Sequence, residues 1–266
     1  MEYCYTGEQE LEVNLCLIAA SEAFPRHLGD HLIGLYLHGS MAMGSFHPWS
    51  SDIDLLAVVD HPPHQQAKLA LAEDIMAVAQ GGEPMRKIEF SIVTAQAAAH
   101  PRHPIAYVQH YSPAWHDAYR EGRAQTVLQG GEDVDLAAHF TVTNRRGVVL
   151  LGAPIAQVFG AVSRQDYLQA VWCDIASARE DILQYPVYVI LNLCRTLRFA
   201  QEDFVGSKAE GATWALYQPE LALWHGLIAA AAQEYAGAPA HPYDQEQLSA
   251  FAGALLGLLK PAFAGL

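Results

Sequence analysis

From Leu11 to His27 the apolar positions Leu11, Leu15, Ile18, Ala19 and Phe24 fall near helical spacing, which predicts an amphipathic helix stopped by Pro25. Two β-prone runs follow, Ile33 to His38 and Asp52 to Val59, separated by a segment punctuated by Gly39, Gly44 and Pro48 as a loop is. Gln65 to Gln80 is rich in Ala and Leu and reads as a helix ended by Gly81-Gly82, and Ile88 to Val93 alternates like a third strand. From Asp166 onward the texture changes. Tyr167 to Leu183, Val187 to Ala200, Gly211 to Tyr217, Leu221 to Tyr235 and Gln245 to Leu259 carry helical periodicity and few strand signals. Between the halves, Gln129 to Asp133 and Gly152-Ala153-Pro154 read as loops. The expected fold is therefore α+β, with an N-terminal domain over residues 1–155 built on a mixed sheet flanked by helices and a C-terminal α-helical bundle over residues 156–266.

Composition narrows the function more than the fold. The 266 residues are 52% hydrophobic, enough to build a core in each domain. Lys and Arg number 15 against 29 Asp and Glu, a formal charge of −14, which argues against an electrostatic grip on long nucleic acid and favours a cationic partner. A phosphate-bearing ligand fits only with metal ions between it and the acidic groups. Cys4, Cys16, Cys173 and Cys194 show no C-x-x-C spacing and lie in apolar stretches, so reduced, buried thiols are expected. No basic segment followed by an apolar one opens the chain, and no apolar run reaches membrane-spanning length. A soluble cytoplasmic protein with no membrane partner is the expectation.

The stretch that carries chemistry is His38-Gly39-Ser40 followed by Ser51-Asp52-Ile53-Asp54. Carboxylates at i and i+2 on a strand project from one face, so Asp52 and Asp54 can reach one metal ion or a close pair. Two like charges flanked by Ile53, Leu55 and Leu56 are costly unless a cation compensates them. Glu89, between Ile88 and Phe90, is a third carboxylate in apolar surroundings and completes a triad if its strand is adjacent, able to bind metal or to take a proton from an attacking hydroxyl. Gly39-Ser40 directly follows a strand, where glycine lets backbone N–H groups approach phosphate oxygens and serine adds a donor. A D-x-D pair alone is common on surface strands. With Gly-Ser upstream and Glu89 downstream, it points to Mg²⁺-assisted transfer from a nucleoside triphosphate.

These residues resemble the G-S-x(n)-D-x-D signature of the DNA polymerase β-type nucleotidyltransferase superfamily, and Leu37 to Gly44 with Ser51 to Leu56 looks like the streptomycin/spectinomycin adenylyltransferases. The similarity continues in Leu191-Asn192-Leu193-Cys194-Arg195, in Ser207-Lys208 with Ala212-Thr213-Trp214-Ala215, and in Tyr235 before Gly237, so it spans most of the chain in patches. The resemblance implies a nucleotidyltransferase domain followed by a helical bundle, with ATP and drug bound in the cleft between them. It implies Asp52 and Asp54 as Mg²⁺ ligands, Glu89 as a general base that also touches metal, and Ser40, Ser51, Arg195, Lys208 and Tyr235 as holders of the nucleotide. Where drug-modifying members carry acidic residues ahead of the Leu-x-Leu-Ala-Arg helix, this chain reads Tyr185-Pro186-Val187-Tyr188, which leaves Glu180, Asp181 and Tyr185 as the acceptor-binding residues.

The expected reaction moves AMP from ATP to a hydroxyl of a small cationic acceptor, an aminoglycoside or aminocyclitol, and releases pyrophosphate. The alternatives are the same fold acting on another small metabolite or on a protein side chain, and a catalytically silent nucleotide-binding module. His38 and His110 read as structural, because isolated histidines usually are.

Overall fold

The first amphipathic segment forms a helix over Gly7–Leu28 (α1) in a computed structural model that describes residues 7–81, 87–124 and 128–264. Cys4 and Gly82 lie outside the described residues. Pro25 does not stop α1 but sits inside its last turn. Burial of Phe24 and Leu28 on the sheet holds that turn in place. The strands follow as Leu32–His38 (β1), Ile53–Val59 (β2) and Ile88–Thr94 (β3), with a short helix Gly39–Ala42 (α2) after β1 and the helix Gln65–Gln80 (α3) between β2 and β3.

Four strands outside the sequence expectation complete the N-terminal unit. Ile105–Tyr107 (β4) pairs antiparallel with Gly131–Asp133 (β6), a stretch whose glycines read as loop. Gln109–Tyr111 (β5) and Val148–Gly152 (β7) form the edges of the main sheet, whose order is β5-β3-β2-β1-β7. The sheet is mixed: β2 and β3 run parallel, while β1–β2, β1–β7 and β3–β5 are antiparallel.

Alternation divides the sheet's two faces. Leu35, Leu37, Ile53, Leu55, Ala57, Ile88, Phe90 and Ile92 face α1 and α3 and form one core with Ala20, Phe24, Leu71 and Ile75. The opposite face carries Tyr36, Leu56, Val58 and Val93 and is covered by the helix Leu136–Arg146 (labelled α6, after Ala95–Ala99 as α4 and His116–Arg120 as α5) and by Phe159, whose ring meets Tyr36 at 4.9 Å and Phe140 at 5.1 Å. Lys68, buried on α3, donates to the carbonyls of Val108 and Leu128 at 2.9 and 2.7 Å and so ties two connecting segments to the core.

The second unit begins at Arg164, the first ending at Ser163. It is helical throughout: Arg164–Ile175 (α8, after the single turn Ile155–Val158, α7), Ala178–Asp181 (α9), Pro186–Glu202 (α10), Lys208–Ala215 (α11), His225–Tyr235 (α12) and Gln245–Leu259 (α13). The segment read as one helix from Tyr167 to Leu183 is broken at Ala176-Ser177, and the Ser177 hydroxyl donates to the Asp181 carboxylate in the turn that follows. The most buried helix is α10, whose Val189, Ile190, Leu191, Leu193, Cys194 and Leu197 join Ile228, Phe251 and Leu255 in a separate core. Cys16 and Cys194 are buried as expected, whereas Cys173 is exposed, because it lies on the solvent face of α8.

Phe24 is fully buried and meets Phe90 edge to face at 5.4 Å, which makes it the anchor of α1 on β3. Phe24→Ala is expected to lower unfolding free energy by about 3–5 kcal/mol in urea denaturation; a loss below about 1 kcal/mol would contradict this packing.

Candidate active site

The register of the sheet assembles the carboxylates. Asp54 pairs with His38 on β1 and with Glu89 on β3, so the three side chains form a row across neighbouring strands. Asp52, two residues before Asp54, continues the row at the mouth of β2. All of them share the face opposite Ile53, Leu55, Ile88 and Phe90, because those apolar neighbours occupy the α1–α3 core. Asp52, Asp54 and Glu89 are half-buried, while Ile53 and Ile88 beside them are buried.

Gly39 sits directly on this row. Its φ of +63° is left-handed, and a Cβ there would lie 1.8 Å from Asp54 Oδ2, so only glycine lets the backbone turn against the carboxylate. Ser40 follows in the four-residue α2, and its carbonyl accepts the Ser45 N–H at 2.9 Å, which closes the loop. Ser51 is buried, and its hydroxyl accepts the His47 N–H at 2.9 Å, so it braces the turn that delivers Asp52. His38 is buried against His139, with ring centroids 4.8 Å apart. Burial, reinforced by His139, holds its imidazole well below its usual pKa and therefore neutral.

Burial pushes the Glu89 carboxyl up to about 7, and the negative charges of Asp52, Asp133 and Asp135 add to the shift. Asp133 ends β6, and its Oδ1 accepts the Asp135 N–H at 2.8 Å, a turn that leads into α6. Behind Glu89 on the same face, Ser91 Oγ and His110 Nδ1 are 3.0 Å apart. Five carboxylates, Asp52, Asp54, Glu89, Asp133 and Asp135, thus gather in one region of the first unit. The oxygens of Asp52, Asp54 and Glu89 do not all lie within 4.8 Å of one another. An all-oxygen carboxylate set under a glycine-thinned backbone fits a hard divalent ion such as Mg²⁺, which takes one or two carboxylates together with phosphate oxygens.

In the second unit Arg195, Lys208 and Tyr235 come together around Tyr188. A Cβ on Gly211 would lie 2.6 Å from Arg195 Cα, so the glycine permits α11 to lie directly on α10 and brings Lys208 alongside. Lys208 Nζ stands 4.5 Å from the Tyr188 ring centroid and 5.9 Å from that of Tyr235. Asp174 accepts from Arg195 and from the Tyr188 hydroxyl, each at 3.2 Å. Ser207 and Glu210 cap α11 reciprocally and fix the helix end that bears Lys208. Glu180 lines a different feature, a cavity of about 620 Å³ with Trp172, Arg179, Lys260 and Phe263. Asp181 is hydrogen-bonded by Ser177, and Tyr185 is exposed ahead of α10.

Asp133, Asp135, Asp174 and Tyr188 belong to these two groups and were absent from the sequence expectation. For the first pair a signal exists, since Asp133-Val134-Asp135 is a second D-x-D. For Asp174 and Tyr188 there is none, because only the packing of α8 on α10 brings them to Arg195.

Comparison with known proteins covers both units. Residues 19–105 match the model of a nucleotidyltransferase domain, and residues 157–257 match that of the aminoglycoside adenylyltransferase C-terminal domain. An aminoglycoside (3'') (9) adenylyltransferase of Shigella flexneri is 26% identical over 242 residues, 85% of this chain and 86% of that protein. A spectinomycin 9-adenylyltransferase of Staphylococcus aureus is 24% identical over 191 residues, 71% of this chain and 72% of the relative. The fold matches that of the crystal structure of spectinomycin adenyltransferase AAD(9) from Enterococcus faecialis with ATP and spectinomycin, with a TM-score of 0.75 over 96% of this chain and 100% of that one at 22% identity.

Because Glu89 keeps its proton to higher pH in the folded protein than the ordinary 4.5, stability contributed by its neutral form is present at low pH and is lost as pH rises through about 7. In chelator-treated protein, Glu89→Gln is expected to gain about 3 kcal/mol relative to the parent between pH 4 and pH 8. Urea melts at both pH values check this, and a pH-independent difference would refute the assigned burial. Gly39→Ala is expected to lower the urea midpoint by more than about 1 kcal/mol equivalent, since its Cβ and its positive φ are both disfavoured.

Proposed function

We propose that the chain is a member of the aminoglycoside adenylyltransferase family and transfers AMP from ATP to a hydroxyl of an aminoglycoside or aminocyclitol, releasing pyrophosphate. The observation that carries this reading is the row of Asp52, Asp54 and Glu89 across two parallel strands beneath Gly39. Such a row has little structural use, and it suits a reaction that gathers phosphate charge around a divalent ion.

Asp52 and Asp54 would hold Mg²⁺, with Glu89 touching it. Bound there, Mg²⁺ supplies charge neutralisation and polarisation of the α-phosphoryl group. Glu89, raised to about 7, is poised to accept a proton near neutral pH. It takes the proton of the acceptor hydroxyl, whose oxygen forms a bond to the α-phosphorus in line as the bond to the pyrophosphate oxygen breaks. Gly39 and Ser40 offer backbone N–H groups and a hydroxyl to phosphate oxygens, and Ser51 supports that loop. Arg195, Lys208 and Tyr235 are assigned to the nucleotide, the two cations to its triphosphate charge. The acidic field of Asp133 and Asp135, added to a net charge of −14, favours a polycationic acceptor.

The test is pyrophosphate release from Mg²⁺-ATP with streptomycin, spectinomycin and a wider aminoglycoside panel. Release with at least one drug is expected, reduced by about 10²–10⁴-fold in Glu89→Gln with ATP binding retained. Lys208→Ala is expected to raise the KM for ATP more than it lowers kcat. Silence across the panel with ATP still bound would overturn the acceptor class, and full activity of Glu89→Gln would overturn its role as base.

A further inference from the structure

The catalytic loop leaves β1 and the carboxylates enter β2 at one end of these paired strands. At the other end a different cluster forms. His31, in the turn before β1, and Asp60-His61, just after β2, are brought together by the antiparallel ladder, whose last pair is Leu32 with Val59 and which extends one step further through the Asp60 N–H donated to the His31 carbonyl at 3.1 Å. Asp60 Oδ1 lies 3.2 Å from His31 Nδ1 and 2.8 Å from His61 Nδ1, and the two imidazole centroids are 3.8 Å apart. All three side chains are about half exposed. Among the described residues this is the group of three potential ligands whose donor atoms all lie within 4.8 Å.

We propose that His31 Nδ1, His61 Nδ1 and the Asp60 carboxylate form a binding site for a borderline divalent transition-metal ion of the Zn²⁺ class, separate from the Mg²⁺ chemistry of the carboxylate row. The donor set selects the ion: two imidazole nitrogens and one carboxylate suit zinc and its neighbours, whereas Mg²⁺ prefers oxygen alone. The spacing fits as well. Zinc bonds of about 2.0–2.2 Å place neighbouring ligand atoms roughly 3.0–3.5 Å apart, near the separations already present, so the side chains need little movement to close on an ion. Each imidazole coordinates through a neutral Nδ1 and keeps its proton on Nε2.

The scaffold is stiff where it matters. His31 and Asp60 are held by strand pairing, and His61 is followed by Pro62-Pro63, which restricts the chain as it leaves the cluster. Three protein ligands on a half-exposed surface leave the remaining coordination positions to water. Bound there, the ion clips the start of β1 to the end of β2, the two strands that carry Gly39 and Asp54 at their opposite ends.

The experiment is calorimetric titration of the untagged full chain with ZnCl₂, in buffer containing excess Mg²⁺ so that the carboxylate row is occupied by its own ion. Saturable binding of one zinc per chain is expected, at least about tenfold weaker in His31→Ala and in His61→Ala, a change of the size that loss of even an outer-shell partner produces. His241→Ala, an exposed histidine elsewhere, is expected to bind zinc as the parent does. The thermal midpoint should rise with zinc in the parent and in His241→Ala and stay still in the two site variants. Equal zinc affinity in the parent and both site variants, or no saturable binding by the parent, would overturn the site. Melting of the zinc-free variants at the parent's temperature verifies that they are folded.

Discussion

The in-register alignment of His38, Asp54 and Glu89 across β1, β2 and β3 is the constraint on which the N-terminal unit depends. A one-residue slip of β2 would turn Ile53 and Leu55 toward the polar face and drive Asp52 and Asp54 into the core beneath α1 and α3. The apolar face therefore specifies the polar one. Leu55 and Phe90, fully buried, lock the strands in the only register that also sets Asp54 beside Glu89. Gly39 completes the arrangement, because no other residue lets the β1 loop turn so close to the Asp54 carboxylate.

That arrangement concentrates negative charge in one region of the unit. Asp52, Asp133 and Asp135 all raise the Glu89 pKa, and desolvation raises it most. Groups whose pKa is shifted this far by burial and like charge cluster at functional sites. The second unit shows the complementary chemistry. Arg195 and Lys208 are gathered around Tyr188 and Asp174 by the close contact of α10 and α11 that Gly211 allows.

The helices of the second unit were legible where their apolar stripes are long and their caps clear: Gln245–Leu259 follows Asp244, which accepts the Gln247 N–H. The segment around Ser177 was not, since the apolar periodicity continues through the break at Ala176-Ser177. Pro25 misled in the other direction, because buried Phe24 and Leu28 outweigh the lost backbone bond near a helix end. The Gly130-Gly131 segment reads as loop, yet Gly131–Asp133 pairs with Ile105–Tyr107, a three-residue strand too short to carry an alternating signal.

By itself the sequence determined the chemistry and the class of fold. Gly39-Ser40 and Asp52-Ile53-Asp54 lie close along the chain, and their spacing, with the change from strand to helical periodicity, is local information. Tertiary structure alone decided which distant groups join them. Asp133 reaches Glu89 through a small sheet, Asp174 reaches Arg195 through helix packing, and His31 reaches Asp60 and His61 through a strand ladder. Pairings across tens of residues are set by burial and register, which no local pattern of residues encodes.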